Sequence, residues 1–512
     1  MELPAKRKSV FECPELVLGA FVVVAMIAWT LQHSLLQKVF GIDIYETIVW
    51  GQQHQWGHSK HPPLSGWLGY FFSWVTGHRD WGLYLASQLC FGIGIFFTFL
   101  TARQFFDRYR AAAAAALLFF FYYMPHQEMK FCTYLVEIAI APPASYLLIK
   151  GLRQNRWWQW LLLGLVCGLG ILNKYSFGLI MAGFAIIVLT RKEYRRRLAS
   201  PWPYLAFLIF IVVISPHLKW LIDHHFVCFR HVGSRLDEKP GFLMPLQVLI
   251  MALVPVVLEA VLLMLASAPR LPESGRGRAV RWLRSWKALD GWTPAAINRE
   301  ALCFAGVITL LPGAVYFLLS LTGTDIILQW LCSVASLSGI IVVSLFPVEV
   351  DRRLFKRLSI LTAIFVTLFF IGTTVDLLCR TTDSCHIDPV PVVESAEAFW
   401  KKHSDEPIPV AVGGLRFAAL VSHYSAQHPP VCDPEDDLMI GLYREKIRKH
   451  GALLVDSRPQ DFDKFLKRCR RLDGGEVKVK FTARPLKYRA RFGKTKKRPV
   501  VFGYLPPGTE IE

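Results

Sequence analysis

Pro14–Gln32 reads PELVLGAFVVVAMIAWTLQ, an apolar run that follows the basic triplet Lys6-Arg7-Lys8. Its length suits an α-helix crossing a hydrocarbon core of about 30 Å, and its flank carries the positive charge that holds an N-terminus in the cytoplasm. No small-residue cleavage site follows it, so the run reads as a signal anchor that stays in the protein. Ten more windows share its character, at roughly 81–102, 111–125, 131–149, 157–173, 175–190, 203–221, 244–267, 301–321, 325–347 and 358–378. The chain of 512 residues is 53% hydrophobic, 13% aromatic and only 19% charged, against about 25% charged in an average soluble domain. That composition excludes a soluble enzyme, a disordered chain and a secreted disulfide scaffold, and leaves a polytopic membrane protein.

Starting from a cytoplasmic N-terminus, the loops alternate consistently. Arg103/Arg108/Arg110, Lys150/Arg153/Arg156, Arg191/Lys192/Arg195/Arg196/Arg197, the 269–299 loop with seven Lys and Arg, and Arg352/Arg353/Lys356/Arg357 all fall inside. Loops 125–130 and 322–325 fall outside and carry almost no positive charge, as the positive-inside rule requires. The net charge of +19 is therefore spent mostly on topology. With no zinc-knuckle or RNA-recognition signature beside it, nucleic acid is not an expected partner. Eleven spans send residues 380–512 to the outer face, the periplasm in a bacterium. The expected division is a membrane module over 1–379 and a soluble domain over 380–512.

The outer segment 33–80 is too long to be a simple connection, and loops of this length are usually functional. It holds Asp43, Glu46, Trp50, His54, Trp56, His58, Lys60, His61 and Pro62-Pro63, then the amphipathic stretch Leu64–Val75. One or two helices lying in the headgroup layer are expected here. Asp43 and Glu46 are three apart, which puts both on one side of a helix. They could act as a general base and its partner, orient an acceptor or hold a cation, and Asp43 could equally be a helix cap. His54, His58 and His61 invite a metal reading, but the His-Glu-x-x-His arrangement is missing. Lys60-His61 beside a rigid Pro-Pro turn would hold a phosphate, or anchor the loop at headgroup level. Lys174-Tyr175 lies in a very tight outer connection, and loop 223–242 carries His224, His225, Arg230, His231 and Arg235 on a face where topology needs no cations. Glu137 and Glu259, inside apolar windows, line a cavity or pack with a hydrogen-bonded partner.

Beyond 380, Ile408–Val412 and Ala452–Val455 read as strands, and 393–402 and 439–450 as helices of a small α/β unit. Residues 477–498 carry ten Lys and Arg, no acid and interleaved apolar residues, a strand or hairpin with one basic face. That face is either solvated or in contact with anionic headgroups or a phosphorylated glycolipid. Cys379, Cys385, Cys432 and Cys469 fall in or beside this part, and a disulfide among them requires an oxidising compartment.

Asp43-x-x-Glu46, Trp50-Gly51, Gly57 and Lys60-His61-Pro62-Pro63-Leu64 together resemble the first periplasmic loop of bacterial glycosyltransferase family 39. This is the GT-C branch of the protein O-mannosyltransferases and the lipid A aminoarabinose transferase. The likeness runs on through Lys130-Phe131, Asn173-Lys174-Tyr175, Arg195–Pro201 and Pro216–Trp220, and more faintly to His423-Tyr424-Ser425 before Pro429-Pro430. It departs at Ile44, where many members have Glu after Asp, and at Cys132-Thr133-Tyr134. The resemblance implies a GT-C fold and an inverting transfer of one sugar from a polyprenyl (undecaprenyl) phosphate donor to lipid A, lipopolysaccharide or a related glycolipid. It implies Asp43 as the catalytic carboxylate, Glu46 as its second acid, and Lys60, His61, Lys174 and Arg235 as cations for the donor phosphate. No cofactor is implied, and a divalent metal is left open. A protein acceptor, a flippase or a non-catalytic assembly subunit are the competing readings. Against a transporter, the polar residues gather at one membrane face and the two halves do not match.

Overall fold

The computed structural model describes residues 10–123, 130–230, 241–268, 297–331, 334–346, 349–471 and 475–511. Among the described residues, seven helices are long and apolar enough to cross a membrane: Pro14–Leu36 (α1), Trp81–Ala102, Thr133–Gln154, Trp202–Asp223, Met244–Ser267, Arg299–Leu321 and Arg352–Cys379. Shorter helices at Arg108–Tyr123, Trp157–Asn173 and Phe177–Thr190 occupy three further expected positions. The protein is a multi-pass membrane protein.

One expected span takes another form. Residues 325–347 were to form a continuous helix, but the structure has 3-10 turns at Leu328–Leu331 and Val334–Leu337 before an eight-residue helix, Ser338–Leu345. At 1.5 Å per residue that helix is about 12 Å long, too short to cross alone. Its residues 338–344 are buried on every side, which explains why composition alone resembled a span. Gly339 lies against the Ala114 carbonyl of the Ala111–Ala116 run, where any side chain would collide. Ala111–Ala115 are fully buried, the packed helix expected of that run.

The chain forms two compact units: Met1–Ala28, Gln88–Gln127 and Thr133–Ile371; and Trp29–Ser87, Glu128–Cys132 and Gly372–Glu512. The second holds both the first outer loop and the C-terminal domain. Its loop carries two helices, Ile42–Gln52 (α2) and Leu64–Val75 (α3). They pack closely because small residues meet: a Cβ on Gly51 would overlap the Gly66 carbonyl and Tyr70 Cβ, and one on Gly69 would overlap Thr47. Gly51→Leu is expected to cost about 1–3 kcal/mol or more through overpacking. Gly441→Ala, on a helix surface with nothing within 4 Å, serves as the neutral control. Thermal melts in detergent that show equal loss for both would contradict the close packing.

The C-terminal domain carries a five-stranded mixed sheet built from Ala411–Val412 (β1), Val431–Cys432 (β2), Ala452–Asp456 (β3), Thr482–Tyr488 (β5) and Lys496–Leu505 (β6), with Cys469–Arg471 (β4) and Thr509–Ile511 (β7) as a separate pair. The order is β2-β1-β3-β6-β5, parallel among β1, β2 and β3 and antiparallel from β3 to β6 to β5. Helices Pro389–Trp400 and Asp437–His450 flank it close to where periodicity placed them. The basic stretch is a β5–β6 hairpin, though Val477–Phe481 lies just outside it. Cys379, Cys432 and Cys469 are thiols, so no disulfide joins them.

Loop and domain meet at Asp80, which accepts hydrogen bonds from Tyr424 Oη at 2.9 Å and lies 3.3 Å from His423 Nε2. Beside it the imidazoles of His78 and His428 stack with centroids 3.8 Å apart. Burial, then the neighbouring His428 and His423, lower the His78 pKa to about 4. A depressed imidazole pKa means that the unfolded chain takes up the proton first. This stabilising contribution is complete above the ordinary value near 6.5 and is lost as pH falls from there towards 4. Melts of this unit should therefore drop over that window, and His78→Gln should flatten the dependence. An unchanged slope would remove His78 as its source.

Candidate functional site

Asp43 sits in the first turn of α2, whose N-cap is Gly41. It is therefore not the capping residue, although a carboxylate there is favoured by the helix dipole. Glu46 follows on the same side. Each acid faces a lysine from another segment. Lys130 Nζ is 3.4 Å from Asp43 Oδ2, and Lys60 Nζ is 2.7 Å from Glu46 Oε1. Lys60 is presented by the turn 58–61, closed by the bond from His58 N to the His61 carbonyl at 3.0 Å. Trp50 braces that turn, stacking on His58 at 5.3 Å and meeting His61 edge-on at 5.5 Å.

The C-terminal domain adds two acids that the sequence reading did not single out. Ser59 Oγ donates to Asp436 Oδ2 at 2.5 Å, and Asp436 also caps the helix Asp437–His450. Asp433 acts electrostatically on both Glu46 and Lys60. Burial raises Glu46 above the usual carboxylate range, with Lys60 partly offsetting it. For Lys60 burial works downward, but the Glu46 carboxylate and its hydrogen bond outweigh it and hold the ammonium charged. Asp433 is raised, mainly by burial.

Asp43, Glu46, Lys60 and His61 thus come together on one loop. Lys174 lies in the other unit, 6% exposed, with Nζ 4.0 Å from Glu137 Oε2 and 5.2 Å from the centre of the Trp330 ring. Arg235 falls outside the described residues, as does His231. Glu259 is a packing residue, accepting from Ser338 Oγ at 2.7 Å. The histidines of the loop are engaged by aromatic rings, His54 meeting Tyr70 edge-on at 5.4 Å. Among the described residues no three His, Cys, Asp or Glu side chains gather as a metal-ligand set. Lys130 had two signals available, as the lone Lys or Arg of the outer loop 125–130 and as part of the Lys130-Phe131 likeness. Asp433 and Asp436 stood in the acidic run Asp433-Pro434-Glu435-Asp436-Asp437, which reads as a solvated turn until its place in the fold is known.

Across 94% of this chain and 97% of the other, the fold superposes with a TM-score of 0.59 on the crystal structure of ArnT from Cupriavidus metallidurans bound to undecaprenyl phosphate, at 14% identity. The chain has the GT-C fold. Residues 60–220 of this GT-C chain match the dolichyl-phosphate-mannose-protein mannosyltransferase family, a match that starts at Lys60 and leaves Asp43 and Glu46 outside it. Two curated relatives come from Rhizobium johnstonii. The lipopolysaccharide core galacturonosyltransferase RgtA is 28% identical over 40% of this chain and 41% of its own length. RgtB, of the same description, is 26% identical over 43% and 44%. The aligned part thus spans less than half of either relative.

Proposed function

We propose that the chain is an inverting glycosyltransferase that moves a single sugar from a polyprenyl (undecaprenyl) phosphate carrier to lipid A, lipopolysaccharide or a related envelope glycolipid. The reaction is placed at the periplasmic face of the bacterial inner membrane, with the N-terminus cytoplasmic and residues 380–512 periplasmic. The observation that carries this reading is the pair of carboxylates one helical turn apart, each set against a lysine. Asp43 takes the proton of the acceptor hydroxyl while that oxygen bonds to the sugar C1 from the face opposite the phosphate. The C1–O bond to the phosphate breaks, and its electron pair leaves with the lipid phosphate. Positive charge at that oxygen offsets the charge built up in a poorly solvated site. Lys60 supplies it, and the His61 turn sets where Lys60 points. Glu46 orients Lys60 and the acceptor.

The two Rhizobium relatives are described as acting on lipopolysaccharide core and transferring galacturonic acid, which supports a glycolipid acceptor and makes a uronic acid the first sugar to look for. The bound undecaprenyl phosphate in ArnT supports the donor class. Mass spectrometry of extracted lipid A and envelope glycolipids from wild type, a deletion strain and a strain carrying Asp43→Asn, at matched protein levels, tests the reading. Loss of one sugar-sized mass from both altered strains is expected and names sugar and acceptor together. Loss in the deletion alone removes Asp43 from catalysis. No change in either turns the search to a protein acceptor or to transport.

A further inference from the structure

The β5–β6 hairpin divides its cations between two faces. On one face Arg498 pairs with Asp383 and lies 3.0 Å from Ser457 Oγ, while Arg484 donates to Ser395 Oγ at 3.1 Å. Those charges are used within the domain. On the other, Lys487 stands directly opposite Lys497, an arrangement that repels unless an anion lies between or above them. The turn adds Arg489, Arg491 and Lys494, and Lys496 opens β6 opposite Tyr488; all four are exposed, and none is in an ion pair with a described residue. Phe492 is 70% exposed at the apex, with the Arg491 guanidinium 5.6 Å from its ring centre.

The position of this turn is fixed by hydrogen bonds. Phe492 N donates to the Leu378 carbonyl at 2.8 Å, and Ala490 N donates to Thr381 Oγ1 at 3.1 Å. Leu378 belongs to the last turn of Arg352–Cys379, the final apolar helix long enough to cross a membrane. The hairpin tip is therefore tied to the C-terminal end of that apolar helix. Protecting an edge strand from pairing explains Pro485 and Lys487 on β5. It does not explain three cations and a bare phenyl ring beyond the paired strands.

We propose that this tip, residues 489–496 with Phe492 at its apex, docks onto anionic phospholipid headgroups surrounding the last span. The phenyl ring enters the interface, and the lysines and arginines bind lipid phosphates, as basic segments beside spans and interfacial aromatics do. The inference does not depend on the catalytic reading, because none of these residues belongs to that site.

Hydrogen exchange of the full chain in nanodiscs of phosphatidylcholine alone, and of phosphatidylcholine mixed with phosphatidylglycerol, tests it. A basic residue near an anionic surface is worth roughly a fivefold preference, so the amides of 489–495 should exchange about tenfold more slowly, or slower still, in the mixed bilayer. High salt should abolish the difference, and so should the combined R489S, R491S, K494S and K496S variant, provided that exchange of Ala452–Asp456 is unaltered. Phe492→Ser, which leaves every hydrogen bond of the tip in place, should shed protection in both bilayers. Equal exchange of the wild type in the two bilayers would overturn the proposal. So would protection that appears only when lipid A is added to phosphatidylcholine discs, because the surface would then be an acceptor site.

Discussion

Asp43→Asn should abolish sugar transfer, by about 10²–10⁴ in rate, while the protein continues to fold and insert. The amide fills the space of the carboxylate but cannot take the acceptor proton. Structural losses are small by comparison. The Lys130 pair is partly exposed, with 26% and 37% of its side chains accessible, and such pairs contribute about 0–1 kcal/mol. The favourable interaction with the α2 dipole contributes a similar amount. Neither loss unfolds a helix whose residues 47–51 are buried and packed through Gly51 on α3. Transfer assayed in proteoliposomes with a polyprenyl-phosphate sugar should fall to background for Asp43→Asn. Asp43→Glu, which keeps the charge and displaces it by one methylene, should retain part of the rate. Wild-type transfer by Asp43→Asn would move the base elsewhere, whatever the glycolipid profile shows. The companion variant Lys130→Met separates orientation from basicity, since it leaves the carboxylate without its fixed neighbour. It should weaken transfer less than Asp43→Asn does.

What the sequence made legible followed from local pattern. Leu64–Val75 was readable to the residue as a helix because its amphipathic period begins just after Pro62-Pro63. The β5–β6 hairpin could be anticipated because ten cations with apolar residues between them suit a strand with one wet face. Asp43 and Glu46 were visible as neighbours because i and i+3 always are on a helix. The rest depended on contacts between segments distant in sequence. Lys60 is 14 residues from Glu46 and meets it only because the 58–61 turn folds back over α2. Lys130 reaches Asp43 from a loop after several intervening helices. Asp436 comes from 377 residues beyond Ser59. Residues 325–347 misled for the opposite reason. Burial inside the protein and burial in lipid select the same apolar residues, and only length distinguishes a span from a short core helix.

Lys60→Ala should lower transfer by about 10²–10³ if the ammonium offsets charge on the departing phosphate. Glu46→Gln should lower it less. The ion pair between them makes a stronger statement than either single variant. With 43% of its side chain accessible, Lys60 can turn from Glu46 towards an arriving phosphate, while Glu46, only 18% accessible, stays beneath it as the anchor. If Glu46 works chiefly by holding Lys60, the double variant should be no slower than Lys60→Ala alone, because removing the anchor of an absent cation changes nothing further. Fully additive losses would instead give Glu46 a separate task, such as orienting the acceptor. The acid limb of the pH profile supplies the second readout. Burial raises Glu46, so its charged form, and with it the hold on Lys60, is present above that raised value and lost as pH falls through it. Wild-type transfer should therefore decline on the acid side earlier than an ordinary carboxylate would dictate. Glu46→Gln, already lacking the charge, should lose that limb. An unshifted limb in Glu46→Gln, together with additive losses in the double variant, would exclude the anchoring role and leave Lys60 held by Asp433 and Asp436 of the C-terminal domain, the other carboxylates acting on it.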